Sequence, residues 1–237
     1  MTPCYPIQLF AGFDEREEVG FHAFTSSVIQ HATEPVSITP LSLQAVSKVY
    51  GEGHRDGTNG FIYLRFLIPY LTNYTGWAIF ADGADMVMNA DIGELFALRD
   101  PWKAVQVVKH DYKTKHPRKY VGTGMEAANA DYPRKNWSSL MLINCSHYAW
   151  RQMTPEKVAG LPGSHLHRFS FINDETRIGD LPKEWNWLAD EYGPNPDAKL
   201  LHWTAGIPGF KHYKDAPEAD KWFKANARAN HANQRIV

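Results

Sequence analysis

Cysteine is scarce in this chain: 237 residues contain only Cys4 and Cys145. No CxxC or Cys/His spacing occurs, so neither a zinc site nor a disulfide framework is indicated. Cys145 closes the apolar run LMLINC and reads as a buried thiol. Charge of one sign is also missing. There are 25 Lys and Arg against 26 Asp and Glu, a net charge of −1 with the 11 His neutral. With no basic surplus to grip a phosphate polymer, nucleic acid is not an expected partner. No apolar run is long enough to span a bilayer. The opening MTPCYPIQLFAGFDERE lacks the basic, apolar and small-residue order of a signal peptide. The expectation is a cytoplasmic protein, with peripheral membrane contact left open. There is no internal repeat, low-complexity tract or linker. Residues 1–237 are therefore expected to form a single domain, with a polar tail at about 227–237 that frays.

What is present is an ordinary globular composition, 43% apolar and 22% charged. Aromatics are abundant, with 8 Trp, 11 Tyr and 12 Phe. Most are expected to pack in the core, and some to line a sugar or nucleotide cleft.

Ile7–Ala11 reads as a buried strand and Gly12-Phe13-Asp14 as a turn. A helix follows over Glu17–His31, with Val19, Phe21, Phe24, Val28 and Ile29 as its apolar positions. Val36–Pro40 is a second strand, and Leu41–Val49 a short helix or loop. Gly51–Gly60 is a flexible loop. Phe61–Leu71 reads as a helix interrupted by Pro69. Trp77–Ala81, Met86–Met88, Ala104–Val108 and Leu140–Asn144 are short apolar strands. Ile92–Leu98 is a helical turn, His147–Ala159 a helix and Glu218–Asn230 a final helix. Lys109–Lys135, with five Lys and two Arg, reads either as a lid or as a solvated basic loop. Strands alternating with helices predict an α/β fold with a mainly parallel central sheet flanked by helices.

The segment that carries chemistry is Ile79–Phe96, IFADGADMVMNADIGELF. An apolar strand delivers Asp82 and Asp85 to its C-terminal edge, where open α/β sheets bind ligands. Two hard oxygen donors a few residues apart suit Mg²⁺ or Mn²⁺, which can bridge a diphosphate. Such a cation makes a nucleoside diphosphate a better leaving group. Asp82-Gly83 alone reads first as a simple turn after a strand, and it is the wider segment that turns the reading towards a site.

In sequence order, several stretches resemble the family 8 type of GT-A glycosyltransferases, the glycogenin and lipopolysaccharide galactosyl- and glucosyltransferase group. Asp91-Ile92-Gly93-Glu94-Leu95-Phe96 is similar to the family's "gDI-x-ELF" segment. FIYLRFLIPYL is similar to its "yyRl-lpelL" helix, with Arg65 at the arginine. WSSLMLINC resembles "NaGvmLiN", LLHWTAGIPGF the C-terminal "iiHy-G-xKPW", and IQLFAGFDERE the opening strand and nucleotide loop. The resemblance runs from about residue 7 to 213. It implies the Rossmann-like GT-A fold and sugar transfer from a nucleotide-sugar donor, mostly UDP-linked, to a hydroxyl acceptor with retention of configuration. The acceptor is a glycan, a lipid-linked or another hydroxyl compound, with lipopolysaccharide or another surface glycan suggested by analogy.

The same resemblance implies the site residues. Asp82, Asp85 and His202 would hold Mn²⁺ or Mg²⁺, with His202 otherwise a buried, hydrogen-bonded residue. Asp82–Asp85 is one residue longer than the family's DxD, an extension that a bulge at Gly83 would absorb. Ala11, Gly12 and Asp14 fall where the family cradles base and ribose, although Asp14 also suits a helix cap. Arg65 would pair with Asp82, reach the donor phosphate or stay solvated. Gly83 and Ala84 belong to the donor-contacting turn, and Ser138 and Ser139 lie near the donor sugar. Gly206, in a shifted register with Ala205, would approach the diphosphate. The motif's lysine is replaced by Ile207-Pro208-Gly209, which leaves Lys211 as its substitute. Asn173-Asp174-Glu175 resembles the acidic-amide patch beside the reacting carbon, making Asp174 and Glu175 the catalytic candidates, or else a loop or cap. Three rivals are a phosphatase of the DxDxT kind, which the spacing through Ala84 and the lack of a following Thr disfavour, a non-catalytic nucleotide-sugar or carbohydrate-binding module, and a metal-dependent nucleotidyltransferase. The last lacks its basic glycine-rich loop here, since GFDERE is acidic.

Overall fold

The computed structural model describes residues 5–51 and 59–231. Cys4, most of the Gly51–Gly60 loop and the end of the polar tail lie outside the described residues. In chain order the elements begin with β1 (Ile7–Gly12), a 3-10 turn at Glu15–Glu17, α1 (Glu18–His31), β2 (Val36–Leu41) and α2 (Leu43–Val46). A 3-10 turn at Leu64–Leu67 leads into α3 (Ile68–Leu71), then β3 (Trp77–Ala81), β4 (Met86–Met88), α4 (Ile92–Ala97) and β5 (Val105–Val107). A small hairpin, β6 (Arg118–Lys119) and β7 (Ala127–Ala128), precedes β8 (Leu140–Asn144). The rest is α5 (Pro155–Gly160), α6 (Gly163–His167), β9 (Ile178–Asp180), β10 (Trp187–Leu188), α7 (Ala189–Tyr192), β11 (Leu200–His202) and α8 (Ala219–His231).

The central sheet has six strands in the order β2-β1-β3-β8-β5-β9. All run in one direction except β8, which is antiparallel to both β3 and β5. Both faces of the sheet are covered, which is why its middle strands are continuous apolar runs rather than alternating ones. Successive residues point to opposite faces. Phe10, Phe80 and Met141 pack on one side with Phe66, Trp150 and Phe169. Leu9, Ile79 and Leu142 pack on the other with Phe24, Val28 and Trp185. A second, three-stranded sheet has the order β10-β11-β4, with β4 antiparallel to β11. Under it, Val87, Leu201, Trp203 and Trp222 form a third cluster, closed by α8 packing on α1.

Several sequence expectations are corrected. In α1, Phe21, Phe24 and Val28 are buried, but Val19 and Ile29 are 57% and 66% exposed. They sit one or two positions off that stripe, and the 100° step per residue turns them to solvent. Pro69 does not interrupt a helix. It stands in the first turn of α3, where its missing N–H would have had no partner. His147–Ala159 is not one helix but a 3-10 turn at Tyr148–Trp150 followed by α5, which Thr154 caps and Pro155 starts. Between residues 160 and 217, where no element was expected, the chain holds α6, β9, β10, α7 and β11.

Candidate active-site cleft

β3 ends at Ala81, and the next four residues turn the chain out of the main sheet into β4. Gly83 has φ +91°, in the left-handed region that favours glycine, and its carbonyl accepts the Met86 N–H at 2.9 Å. The residue added between the two acids is thus taken up by a tight turn. Gly20 of α1 presses against it: a β-carbon there would lie 2.3 Å from the Ala84 carbonyl oxygen. Register then brings in His202, because Met86 faces His202 across the β4–β11 pair. His202 Nε2 lies 3.3 Å from Asp85 Oδ2, and His202 is 2% exposed.

The tautomer of His202 follows from a chain of hydrogen bonds. The Ser139 hydroxyl donates to the Asn136 carbonyl at 2.7 Å, so its oxygen accepts from Asn186 Nδ2 at 2.8 Å. Asn186 Oδ1 is therefore left to accept from His202 Nδ1 at 2.9 Å. Nδ1 therefore carries a proton; Nε2 donates to Asp85 when the ring is protonated, and in the neutral ring its lone pair is available to a cation. Burial opposes charging His202, but the Asp85 carboxylate outweighs burial and raises its pKa above the usual histidine value.

Asp82 takes a different partner. Its Oδ1 lies 2.7 Å from Arg65 Nη2, and its N–H donates to the Ser139 carbonyl at 2.9 Å. Arg65 is buried, not solvated. It donates to the Ser138 and Ile62 carbonyls at 2.7 and 2.9 Å, and its guanidinium carbon sits 4.5 Å from the Phe80 ring centre. Burial pushes the Asp82 pKa up, and Arg65 works against that push.

These groups line a cavity of about 510 Å³ at the C-terminal ends of the parallel strands, a size in the range of small-molecule sites. Of the residues singled out from sequence, Arg65, Asp82, Ala84, Asp85, Ser138, Ser139 and His202 line it. The others do not. Ala11 is fully buried in β1, and Gly12 is filled against by the Phe61 ring. Asp14 caps the first 3-10 turn and pairs with Arg16 at 2.6 Å, facing a separate shallow hollow. Gly83 shapes the turn without facing the cavity. Gly206 gives room to the Tyr213 ring, and Lys211 is exposed on another 3-10 turn. Asp174 caps the 3-10 turn at Glu175–Arg177, accepting from Thr176 and Arg177, while Glu175 pairs with Arg134 on the surface. Their carboxylates are occupied by local structure, and the cleft walls are built from other elements.

Among the residues that sequence reasoning passed over, Glu17 and Lys119 matter most. Glu17, 2% exposed, accepts from Asn59 Nδ2 at 3.1 Å and keeps Oε1 without a partner. Burial first, and the nearby Asp85 charge second, push its carboxyl up to about 7. Lys119 comes from β6, which is seated because the Tyr120 N–H donates to the Ala205 carbonyl at 2.7 Å. Burial lowers its pKa against the attraction of Asp82 and Asp85, and it has no ion-pair partner among the described residues. The Lys109–Lys135 segment thus supplies a wall of the cavity through Lys119, Tyr120, Ala128 and Tyr132. Its richness in lysine was the one signal that pointed there.

The donor set bears on a divalent cation. Asp85 Oδ1 is buried without a hydrogen-bond partner, and the facing His202 Nε2 is a borderline ligand suited to Mn²⁺. Among the described residues no three acidic, His or Cys side chains yet converge at ligand distances, because Asp82 is turned onto Arg65. Two of the three expected ligands therefore face each other, and the third is the next carboxylate along the same turn.

A six-stranded sheet with one reversed strand, a small second sheet and an acidic turn between them define the GT-A glycosyltransferase fold. Three solved structures share it. The bifunctional glycosyltransferase WbbM matches with a TM-score of 0.65 at 16% identity, over 99% of this chain and 52% of that one. GlyE of Streptococcus pneumoniae TIGR4 matches at 0.60 and 13%, over 98% and 64%. The galactosyltransferase LgtC, solved with donor and acceptor sugar analogues, matches at 0.56 and 10%, over 93% and 95%. The chain thus spans about half of the WbbM chain and under two thirds of GlyE. In sequence it is 36% identical to Protein CDI of Arabidopsis thaliana over 238 residues, 97% of this chain and 90% of that protein. The chain belongs to the Protein CDI family. No family model matches it.

Proposed function

We propose that this protein is a metal-dependent glycosyltransferase of the family 8 type, moving a sugar from a nucleotide-sugar donor, UDP-linked in the first instance, to a hydroxyl acceptor with retention. One observation carries the reading. Strand register sets Asp85 and His202 face to face at the floor of the cavity, with a buried carboxylate oxygen left unpaired. Asp82, Asp85 and His202 are the residues that would hold Mn²⁺ or Mg²⁺. When bound, the cation supplies charge neutralisation for the departing diphosphate. The chain's own groups do the rest. Lys119 offers a second positive charge to the same diphosphate, in place of the lysine missing from the C-terminal motif. Asn186 accepts the Nδ1 proton of His202, so that the neutral ring would offer its Nε2 lone pair to the cation. Arg65 fixes Asp82 and, through the Ser138 carbonyl, the wall beside it. The bond from the anomeric carbon to the diphosphate oxygen breaks, and that carbon bonds to the acceptor oxygen, whose proton is lost.

A nucleotide-sugar-binding module without turnover is the second reading, favoured by the engagement of Asp82 with Arg65. The test begins with a thermal-shift screen of UDP-, GDP-, CMP- and dTDP-sugars with and without Mn²⁺, since a ligand of the native state raises its stability. Release of nucleoside diphosphate is then measured. Asp85→Ala and His202→Ala are each expected to reduce Mn²⁺-dependent release by about a hundredfold or more, the scale on which lost electrostatic stabilisation acts. Undiminished release from both variants would remove the assignment. Mn²⁺-dependent binding without any release would favour the module.

A further inference from the structure

Among the described residues two guanidinium groups line the cavity, and their situations differ. Arg65 is satisfied by two carbonyls and Asp82. Arg168, half-buried, also lines the cavity; its Nε is buried without a partner, and no ion pair holds its guanidinium among the described residues. A guanidinium N–H that gives up water without gaining an acceptor is costly, and the terminal nitrogens remain open towards the cavity. Such a group is retained where a ligand completes it.

Its place is held firmly. Arg168 ends α6, and the next residue, Phe169, adopts φ +54°. That left-handed conformation costs a bulky residue about 1–2 kcal/mol. It is maintained because the Phe169 ring is fully buried against Phe66 and Phe171. The Ser170 N–H also closes the helix end by donating to the His165 carbonyl at 3.0 Å. One turn earlier, Gly163 lies so close to Tyr63 that a β-carbon would meet its hydroxyl at 2.4 Å. In the same wall, His167 Nδ1 pairs with the Ser138 hydroxyl at 2.7 Å. Ser139, the next residue, accepts the Asp82 N–H.

The inference rests on the nucleotide-sugar reading above. If the diphosphate lies with Asp85, His202 and Lys119, the sugar occupies the part of the cavity walled by Ser138, His167 and Arg168. A neutral hexose offers Arg168 only hydroxyls. A carboxylate matches its fork with two parallel charge-assisted bonds. We propose that the donor sugar is a uronic acid, whose carboxylate is read by Arg168. Arg168 is then a specificity-determining residue, and Arg168→Lys is only a partial substitute because ammonium cannot make the paired contact.

Calorimetric titration with Mn²⁺ present compares UDP-glucuronate and UDP-galacturonate with UDP-glucose and UDP-galactose, and with UDP alone. The wild-type protein is expected to bind at least one uronate about tenfold or more tightly than its neutral counterpart. Arg168→Gln is expected to abolish that preference, and Arg168→Lys to keep part of it. Equal wild-type affinity for uronate and neutral sugar, with UDP itself binding, overturns this proposal and leaves the parent reading intact. A preference that survives in Arg168→Gln also overturns it. Failure of UDP and all four UDP-sugars to bind overturns both.

Discussion

His110 shows how much a single buried side chain can govern. Its ring is 6% exposed, Nδ1 meets the Tyr192 hydroxyl at 3.0 Å, and Nε2 has no partner. Burial, with the positive charges of His202 and Lys183 behind it, lowers its pKa from 6.5 to about 3. Above pH 6.5 both folded and unfolded chains keep this ring neutral, so it contributes no pH dependence. Below 6.5 the unfolded chain takes up the proton first. Stability is therefore expected to fall as pH drops towards 3, by up to about 1.4 kcal/mol per pH unit from this group. Urea unfolding between pH 4 and 7 should show the slope, and His110→Gln, which can still bond to Tyr192, should flatten it. An unchanged acid limb in the variant would mean that His110 is protonated in the folded protein. At this scale the acids of the turn were legible from their setting, between the apolar strand before them and the Asp91–Phe96 stretch after them. Glu17 and Arg168 were not, since a charged residue's burial depends on what packs over it.

Among the elements, the closest dependence is that of the acidic turn on α1. Gly20 leaves no space for a side chain where the helix meets the Ala84 carbonyl. Gly20→Ala is expected to push that turn away, costing about 1–3 kcal/mol as overpacking. For a chain of this size each kcal/mol corresponds to roughly 2–4 °C in Tm. On the metal-dependent reading proposed above, displacing Asp85 should also weaken Mn²⁺ binding. Calorimetry that found the variant as stable as the parent, with unchanged Mn²⁺ affinity, would show that the turn is set by other contacts. The strands β1, β3 and β8 were readable because burial on both faces writes a continuous apolar run. α6, β9 and β11 were not, at five, three and three residues, since so few positions cannot display a period. Their boundaries come from partners distant in sequence.

For the whole molecule, β4 is the joint. It carries the chain from the central sheet, where β3 lies, into the second sheet with β11, so the two sheets share the acidic turn between them. With α8 closing over α1 and the second sheet's own cluster, the described residues should unfold as one cooperative unit. A single calorimetric transition with matching van't Hoff and calorimetric enthalpies is expected, and two separated transitions would divide the chain into independent parts. By itself the amino-acid sequence determined which segments must be buried, that helices alternate with a mainly parallel sheet, and that two acids with a glycine end the third strand. These follow from local chemistry: apolar runs leave water, and glycine admits the turn. Only the tertiary structure decided that His202 meets Asp85, that Lys119 enters the cavity while Lys211 stays outside, and that Asp174 is spent on a cap. Those outcomes depend on strand register and on which surfaces press together, and contacts between residues far apart along the chain leave no periodic trace in it.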